Sequence, residues 1–351
     1  MSHKPIPLVS YRFEYDKEFF NPHQRANGSL TGEVPADSIF TTPTENTSWE
    51  AVRRQLGANP LECKLFFIKY ITQNPEFANP GLTEPYGRDQ AKRAGALLRD
   101  TLLAAGFGAQ PSMSFYTSSL KRCISTTEEL ILDSQLANRI IVADGFREWM
   151  GYDHVEFNDR RATRTEILKD TGSRGFKTDF LGDFPEQDEM FQRRPLREAY
   201  TDVDVRWEDS LNTIFETDSN SIICICSNNR AIQSCFRVMG HEADATVLQS
   251  NFGIMNMRNG AVVALLVTRV AIKPEEASYI QNARTDCRKM EFDIIKRQKK
   301  LQDEKAVGEL CKLTKEKFKD FLLTVGIDQE REVRRTYEKS RTRDKTCYHY
   351  A

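Results

Sequence analysis

Long hydrophobic runs are missing from this chain of 351 residues; the longest uninterrupted one spans only Ala261 to Val267. A bilayer-crossing helix needs about 20 apolar residues, so no membrane span is expected. The start, Met1-Ser2-His3-Lys4-Pro5, has a cation with no apolar segment behind it. No secretory signal is therefore expected, and the expected location is the cytoplasm, with the nucleus also open. Two Asn-x-Ser matches, at Asn27 and Asn46, lack a secretory context and carry no weight. A charge excess of one sign is missing too: 50 Lys+Arg face 51 Asp+Glu, a net charge of −1. This gives no global pull toward nucleic acid or an anionic membrane. The eight cysteines (63, 123, 224, 226, 235, 287, 311, 347) show no C-x-x-C pair, which argues for reduced thiols. Cys224-x-Cys226 lies inside the apolar run Ile222 to Cys226 and reads as buried core thiols rather than a metal pair. No metal or cofactor is expected. Histidine is scarce, with five in all, and no internal repeat is present.

What is present is a rhythm. Residues 1–60 read as an irregular N-terminal arm packed on the core, with aromatics (Tyr11, Phe13, Tyr15, Phe19, Phe20), a Thr, Pro, Asn and Gly-rich interval from Asn27 to Ser48, and a short helix through Trp49 to Leu56. From Leu61, apolar runs alternate with amphipathic stretches. Candidate strands are Leu65–Ile71, Met113–Tyr116, Arg139–Val142, Ser221–Cys226 and Ala261–Val270; candidate helices are Arg88–Leu103, Leu120–Leu132, Val203–Phe215 and Ala231–Met239. This alternation predicts a three-layer α/β sandwich around a mostly parallel sheet over residues 61–270. The polar run Gly182 to Glu189 reads as a surface loop. Residues 271–351 are basic, 20 Lys+Arg against 15 Asp+Glu. Ile280, Ala283, Cys287, Met290 and Ile294 fall at helical spacing, as do Leu310, Phe318, Phe321, Leu322 and Val325. This C-terminal extension reads either as helices docked on the domain or as a surface for a protein partner. Interleaved acids argue against a nucleic-acid arm.

Ligand sites in open α/β sheets lie outside the carboxyl ends of the strands. Four such ends carry polar residues: Lys69-Tyr70-Ile71, Thr117-Ser118-Ser119-Leu120-Lys121-Arg122, Gly145-Phe146-Arg147-Glu148-Trp149 and Ser227-Asn228-Asn229-Arg230. Ser118 or Ser119 is placed to cap a helix with Arg122 in its first turn, and the fourth stretch opens another helix. Helix N-termini and guanidinium groups favour anions, so a small anionic or phosphorylated ligand is expected.

The order of these motifs resembles the histidine phosphatase superfamily, in its fungal phosphoglycerate mutase-like branch, from about Leu65 to Val270. The resemblance is carried by the Gly81-to-Ala91 run, by Tyr116 to Arg122, by Arg147-Glu148-Trp149-Met150-Gly151, by Asn158-Asp159-Arg160-Arg161, by Phe184 to Glu189 and by Ile225 to Ile232. In that family the first strand ends in Arg-His-Gly, whose histidine takes a phosphoryl group, and a second histidine follows a later strand. The resemblance implies that Arg122 and Glu148 match the retained arginine and acid. It also implies that Lys69, Tyr70 and Ile71 stand in place of Arg-His-Gly, and that Asn228 and Arg230 replace the second histidine and the glycine after it. The spacer Thr72 to Pro80 is short for the family's substrate loop. His154 is weighed as a further family histidine, with a surface or structural role the simpler reading.

These replacements remove phosphohistidine chemistry. A tyrosine at its ordinary pKa of about 10 is protonated at neutral pH and needs a base. Asn228 donates hydrogen bonds but relays no proton. Lys69 keeps a charge without a planar fork, and Ile71 and Arg230 carry side chains where glycine would admit a phosphate. Two readings stay open. One is a pseudophosphatase whose crevice binds an anion through Lys69, Arg122 and Arg230. The other is a repurposed enzyme of fungal specialised (secondary) metabolism, with Tyr70, Glu148 and Asn228 at the catalytic positions for acid–base work on a small organic acid. Residual phosphatase activity through an unorthodox nucleophile is a third and weaker one.

Overall fold

A computed structural model describes residues 10–16, 33–34, 39–40, 48–70, 86–150, 160–192, 198–239, 256–257 and 260–303. Its elements in chain order begin with β1 (Ser10–Tyr15), β2 (Glu33–Val34), β3 (Ile39–Phe40), α1 (Trp49–Ala58), β4 (Cys63–Tyr70) and α2 (Tyr86–Ala104). There follow β5 (Met113–Ser118), α3 (Lys121–Ser134), β6 (Arg139–Ala143), a 3-10 turn (Asp144–Phe146), α4 (Arg164–Ser173), β7 (Lys177–Phe180) and α5 (Glu189–Gln192). The remainder are α6 (Tyr200–Thr217), β8 (Ile222–Ser227), α7 (Asn229–Val238), β9 (Asn256–Met257), β10 (Val262–Ile272) and α8 (Pro274–Asp303).

The main sheet runs β1-β10-β4-β8-β5-β6-β7, with β3 also pairing β10; β2 and β9 pair separately. From β4 to β7 every neighbour is parallel, while β10 is antiparallel to both β4 and β1. The mostly parallel α/β sandwich expected from the sequence is the architecture observed. Central parallel strands are covered on both faces, which explains their unbroken apolar runs. Leu65, Phe66, Phe67 and Ile68 of β4 are wholly buried, each contributing about 1.5–3 kcal/mol of hydrophobic stabilisation. The lysines in β4 are buried as well, and each is satisfied by main-chain oxygens. Lys64 donates to the carbonyls of Asp218 and Asn220 at 2.7 and 2.8 Å, and Lys69 to that of Gly260.

Connection handedness sets the layers. From β4 through β5 and β6 to β7 the chain steps one way across the sheet, and right-handed crossovers therefore put α2, α3 and α4 on one face. From β7 back to β8 it steps the other way, which puts α6 on the opposite face, where α7 packs against it. Stripes at helical spacing meet the sheet: Ala91, Ala94, Leu98 and Leu102 on α2, and Val203, Trp207, Leu211 and Ile214 on α6. The α2–α3 contact is close because Gly95 faces Leu130; a Cβ there would lie 2.2 Å from the Leu130 carbonyl oxygen. Neighbouring strands whose following helices lie on opposite faces leave a crevice at their carboxyl ends, and here those strands are β4, β8 and β5.

Several expectations change. Ser10–Tyr15, in the stretch read as irregular, is an edge strand that alternates buried Phe13 and Tyr15 with exposed Arg12 and Glu14. The run Gly182 to Glu189 is more than a surface loop, because Phe184 and Asp188 are buried. Leu120, and neither Ser118 nor Ser119, occupies the N-cap of α3. Helix α8 contains the first C-terminal apolar set and is tied to α6 and β1 through Arg284–Glu208, Arg288–Asp202 and Arg12–Glu276. Ile71, Thr72–Pro80, the Gly81–Pro85 stretch, His154, Asn158, Asp159 and the second apolar set from Leu310 to Val325 lie outside the described residues. Among the described residues no helix is long and apolar enough to cross a membrane.

Candidate functional site

Register brings three strand ends level. Tyr70 of β4 pairs with Ser227 of β8, and Cys226 of β8 pairs with both Lys69 and Thr117. Just beyond, Arg122 occupies the first turn of α3 and Asn228 is the extended N-cap residue of α7. The Asn228 side chain does not cap its own helix. Its Oδ1 instead accepts from Arg122 Nε at 2.6 Å, and its Nδ2 donates to Cys123 Sγ at 3.2 Å. One amide thereby joins α3 to α7 across the end of the sheet.

The capping role passes to Glu148. Its Oε1 accepts from the backbone of Ala231, in the first turn of α7, at 3.2 Å, and from its own neighbour Trp149 N at 2.8 Å. A carboxylate is well placed at a helix N-terminus, where the main-chain donors and dipole favour negative charge. Beside it, the Arg230 guanidinium stacks over Trp149, 4.5 Å from the ring centroid.

The loop that carries Glu148 is held from three sides. Arg147, fully buried, makes a two-pronged ion pair with Asp188 at 2.6 and 2.7 Å. Arg206 of α6 donates to the carbonyls of Asp144, Gly145 and Arg147 while pairing with Glu198. Ser227, at the end of β8, donates to the Phe146 carbonyl at 2.6 Å. Ser119 donates to Asp144 at 2.5 Å and Arg161 pairs with the same carboxylate, which fixes the turn that follows β6.

Tyr70 packs against Cys123 and Cys226. Burial pushes its phenol up to about 12; the negative charge of Glu148 adds to the rise and the Arg122 cation opposes it. Burial, with the hydrogen-bonded Cys226 thiol next in size, drives the Cys123 thiol well above its ordinary range. Burial likewise raises Cys224, to about 12. These thiols are protonated packing groups at neutral pH.

Of the residues expected at the site, Tyr70, Arg122, Glu148 and Asn228 gather around the first turn of α7. Arg230 sits at the same turn on Trp149, and Lys69 is buried with its ammonium on the Gly260 carbonyl. The set offers a protonated phenol, a guanidinium, a carboxylate and an amide. Among the described residues there is no imidazole, since all five histidines fall outside them, and no cluster of three or more His, Cys, Asp or Glu side chains is placed to hold a metal ion. Sequence reasoning did not assign Asp188, Glu198, Arg206 or Cys123. Asp188 lay within a quoted motif, but its burial follows from a contact 41 residues away in sequence.

Comparison with known proteins bears on this arrangement. The family model described as "Histidine phosphatase superfamily (branch 1)" matches residues 78–269, which is more than half of the chain and begins after Tyr70. A phosphoglycerate mutase from Bacillus anthracis str. Sterne is similar in structure, at 13% identity and a TM-score of 0.38, covering 60% of this chain and 93% of that one. An ecdysone phosphate phosphatase from Bombix mori, in complex with tungstate, is 12% identical with a TM-score of 0.33, covering 50% and 78%. A mycobacterial glucosyl-3-phosphoglycerate phosphatase is 15% identical with a TM-score of 0.30, covering 49% and 76%. No curated protein matches the chain significantly.

Proposed function

The chain belongs to the histidine phosphatase superfamily, and from that premise we propose that it is a pseudophosphatase of the fungal phosphoglycerate mutase-like kind, which has lost phosphohistidine chemistry and retains an anion-binding crevice. One observation carries the reading: the side chain at the end of β4, beside the Arg122–Asn228 pair, is a phenol pushed up to about 12. At pH 7 such a group is ionised to about one part in 10⁵. A phenol in that state is a hydrogen-bond donor and not a phosphoryl acceptor. Arg122 supplies the cation that an anion would meet, at a helix start where main-chain donors favour negative charge.

The purified chain, incubated with p-nitrophenyl phosphate and 3-phosphoglycerate, is expected to release no more phosphate than its Arg122→Gln variant. Phosphatase turnover in the wild type that disappears with that substitution would overturn the reading.

A second reading draws on the charge of Glu148, which reaches Tyr70 and raises its pKa. A phenol and a carboxylate in one crevice suit acid–base chemistry on a small organic acid, with a home in specialised metabolism. On this reading, metabolite profiles of strains carrying Tyr70→Phe or Glu148→Gln each lose one compound; unchanged profiles in both remove it.

A further inference from the structure

Two buried cysteines meet at the crevice end of the sheet. Cys226 is the last residue but one of β8, and Cys123 lies in the first turn of α3. Their thiols are hydrogen-bonded to each other. They form a small cluster apart from the main core, with the partly exposed Tyr70 packed against it. A thiol that serves only as packing needs nothing beyond apolar surroundings; Cys235 is of that kind, and burial alone raises its pKa. Cys123 differs. Its sulfur accepts from Asn228 Nδ2 at 3.2 Å, the Ser118 hydroxyl hydrogen-bonds it in the sense that favours a thiolate, and the Arg122 cation acts the same way. The start of α3 adds the positive end of a helix dipole. Several groups thus favour a negative sulfur in a place where burial keeps it protonated.

A bound cation removes that conflict, because a coordinated thiol gives up its proton outright. The donor set decides which cation. Structural zinc takes about four ligands, and among the described residues no third His, Cys, Asp or Glu joins the pair. Thiolates select soft ions, and a closed-shell monovalent ion such as Cu(I) is satisfied by two sulfurs in line. A metal–thiolate bond is about 2.3 Å long, so sulfurs on either side of one ion stand roughly 4–5 Å apart, close to the span of a thiol–thiol hydrogen bond. We propose that Cys123 and Cys226 form a two-coordinate site for a soft monovalent cation of the Cu(I) class, with Asn228, Ser118 and Arg122 steadying the sulfur of Cys123. On binding, each thiol releases its proton to solvent, two metal–sulfur bonds form and no electron moves. The single negative charge left on the complex falls beside the Arg122 cation. The site is independent of the anion-binding reading above, which uses neither sulfur.

The test is an anaerobic titration of the reduced full chain with Cu(I) held by the chromogenic chelator bicinchoninate, with X-ray absorption on the protein loaded to one equivalent. The wild type is expected to take one equivalent from the chelator, and its copper to show two sulfur neighbours and no nitrogen. Cys123→Ser and Cys226→Ser should each lose that equivalent, while Cys224→Ala, at a buried β8 cysteine outside the pair, keeps it. Asn228→Ala should weaken binding about tenfold to a hundredfold, the range seen when a group that orients a metal ligand is removed. Circular dichroism checks that each variant is folded, and should a serine variant fail to fold, the Asn228→Ala titration decides in its place. The proposal is overturned by a wild type that captures no copper, or by a copper shell holding a nitrogen or more than two sulfurs. Uptake unchanged in a folded serine variant, or affinity unmoved by Asn228→Ala, overturns it equally.

Discussion

Replacing Asp188 with asparagine isolates the buried ion pair beneath the crevice. Arg147 is fully buried, and both carboxylate oxygens of Asp188 accept from its guanidinium. The same carboxylate accepts from Arg161 N at 2.9 Å and Phe191 N at 3.0 Å. Asparagine keeps one acceptor oxygen but takes the Asp188 charge away from the buried Arg147. Breaking a buried pair from one side costs about 3–5 kcal/mol, most of it the stranded partner. Urea titration followed by far-UV circular dichroism should show the midpoint falling by that equivalent with an unchanged slope. The pH dependence carries a second signature. Burial tends to raise the Asp188 carboxyl, but the Arg147 hydrogen bonds and charge, with the two N–H donors, hold it below the usual carboxylate range. A depressed folded-state pKa gives stability that is present above the unfolded value of about 3.9 and lost as pH falls through the folded value. The wild type should therefore lose this contribution below about pH 4, and the Asp188→Asn profile should be flatter there. A loss smaller than about 1 kcal/mol would refute the reasoning. So would a double variant, Arg147→Met with Asp188→Asn, that recovers nothing, because removing the stranded cation should restore part of the loss.

Gly95→Ala should destabilise the protein by about 1–3 kcal/mol, although alanine is the better helix former by about 1 kcal/mol, because the added Cβ meets the Leu130 carbonyl oxygen at 2.2 Å. A thermal melt in which the variant equals or exceeds the wild type would contradict the α2–α3 packing. The Tyr70 phenol, identified as the ¹³Cζ resonance missing from Tyr70→Phe, should titrate near about 12. Glu148→Gln should lower that midpoint and Arg122→Gln should raise it, since the acid raises the pKa and the cation lowers it. Shifts in the opposite sense would separate these residues from Tyr70.

The fold was legible wherever burial on both strand faces produced an unbroken apolar run. Leu65–Ile71 anticipated Cys63–Tyr70, and Ser221–Cys226 anticipated Ile222–Ser227. Amphipathic stripes gave α2, α3, α6 and α7 to within a few residues. The edges were harder. β7 is four half-exposed residues, too short and polar to stand out from a loop. β1 did carry the period-two pattern of Phe13 and Tyr15, but its partner, β10, lies about 250 residues away and gives no local signal. At the site, strand-end position placed Tyr70, Arg122, Glu148 and Asn228 together. Lys69 looked like a crevice cation because a sequence shows charge without direction; its ammonium meets the Gly260 carbonyl. Glu148 as the cap of α7 could not be read either, since a polar N-cap residue such as Asn228 ordinarily caps its own helix.

The amide bridge at Asn228 bears on whether a histidine could work at that position. Asn228 accepts from Arg122 and donates to Cys123 at once. A histidine there could copy both contacts only as a neutral ring committed to one tautomer, and an imidazole so committed has no lone pair left for a proton. Placing histidine at positions 70 and 228 would then supply the residues without the reaction, a result that a turnover assay on the double variant would show and that phosphate release would contradict. A working histidine at position 228 would therefore require changes at Cys123 and Arg122 as well, since both contacts of the present amide are made to those two residues.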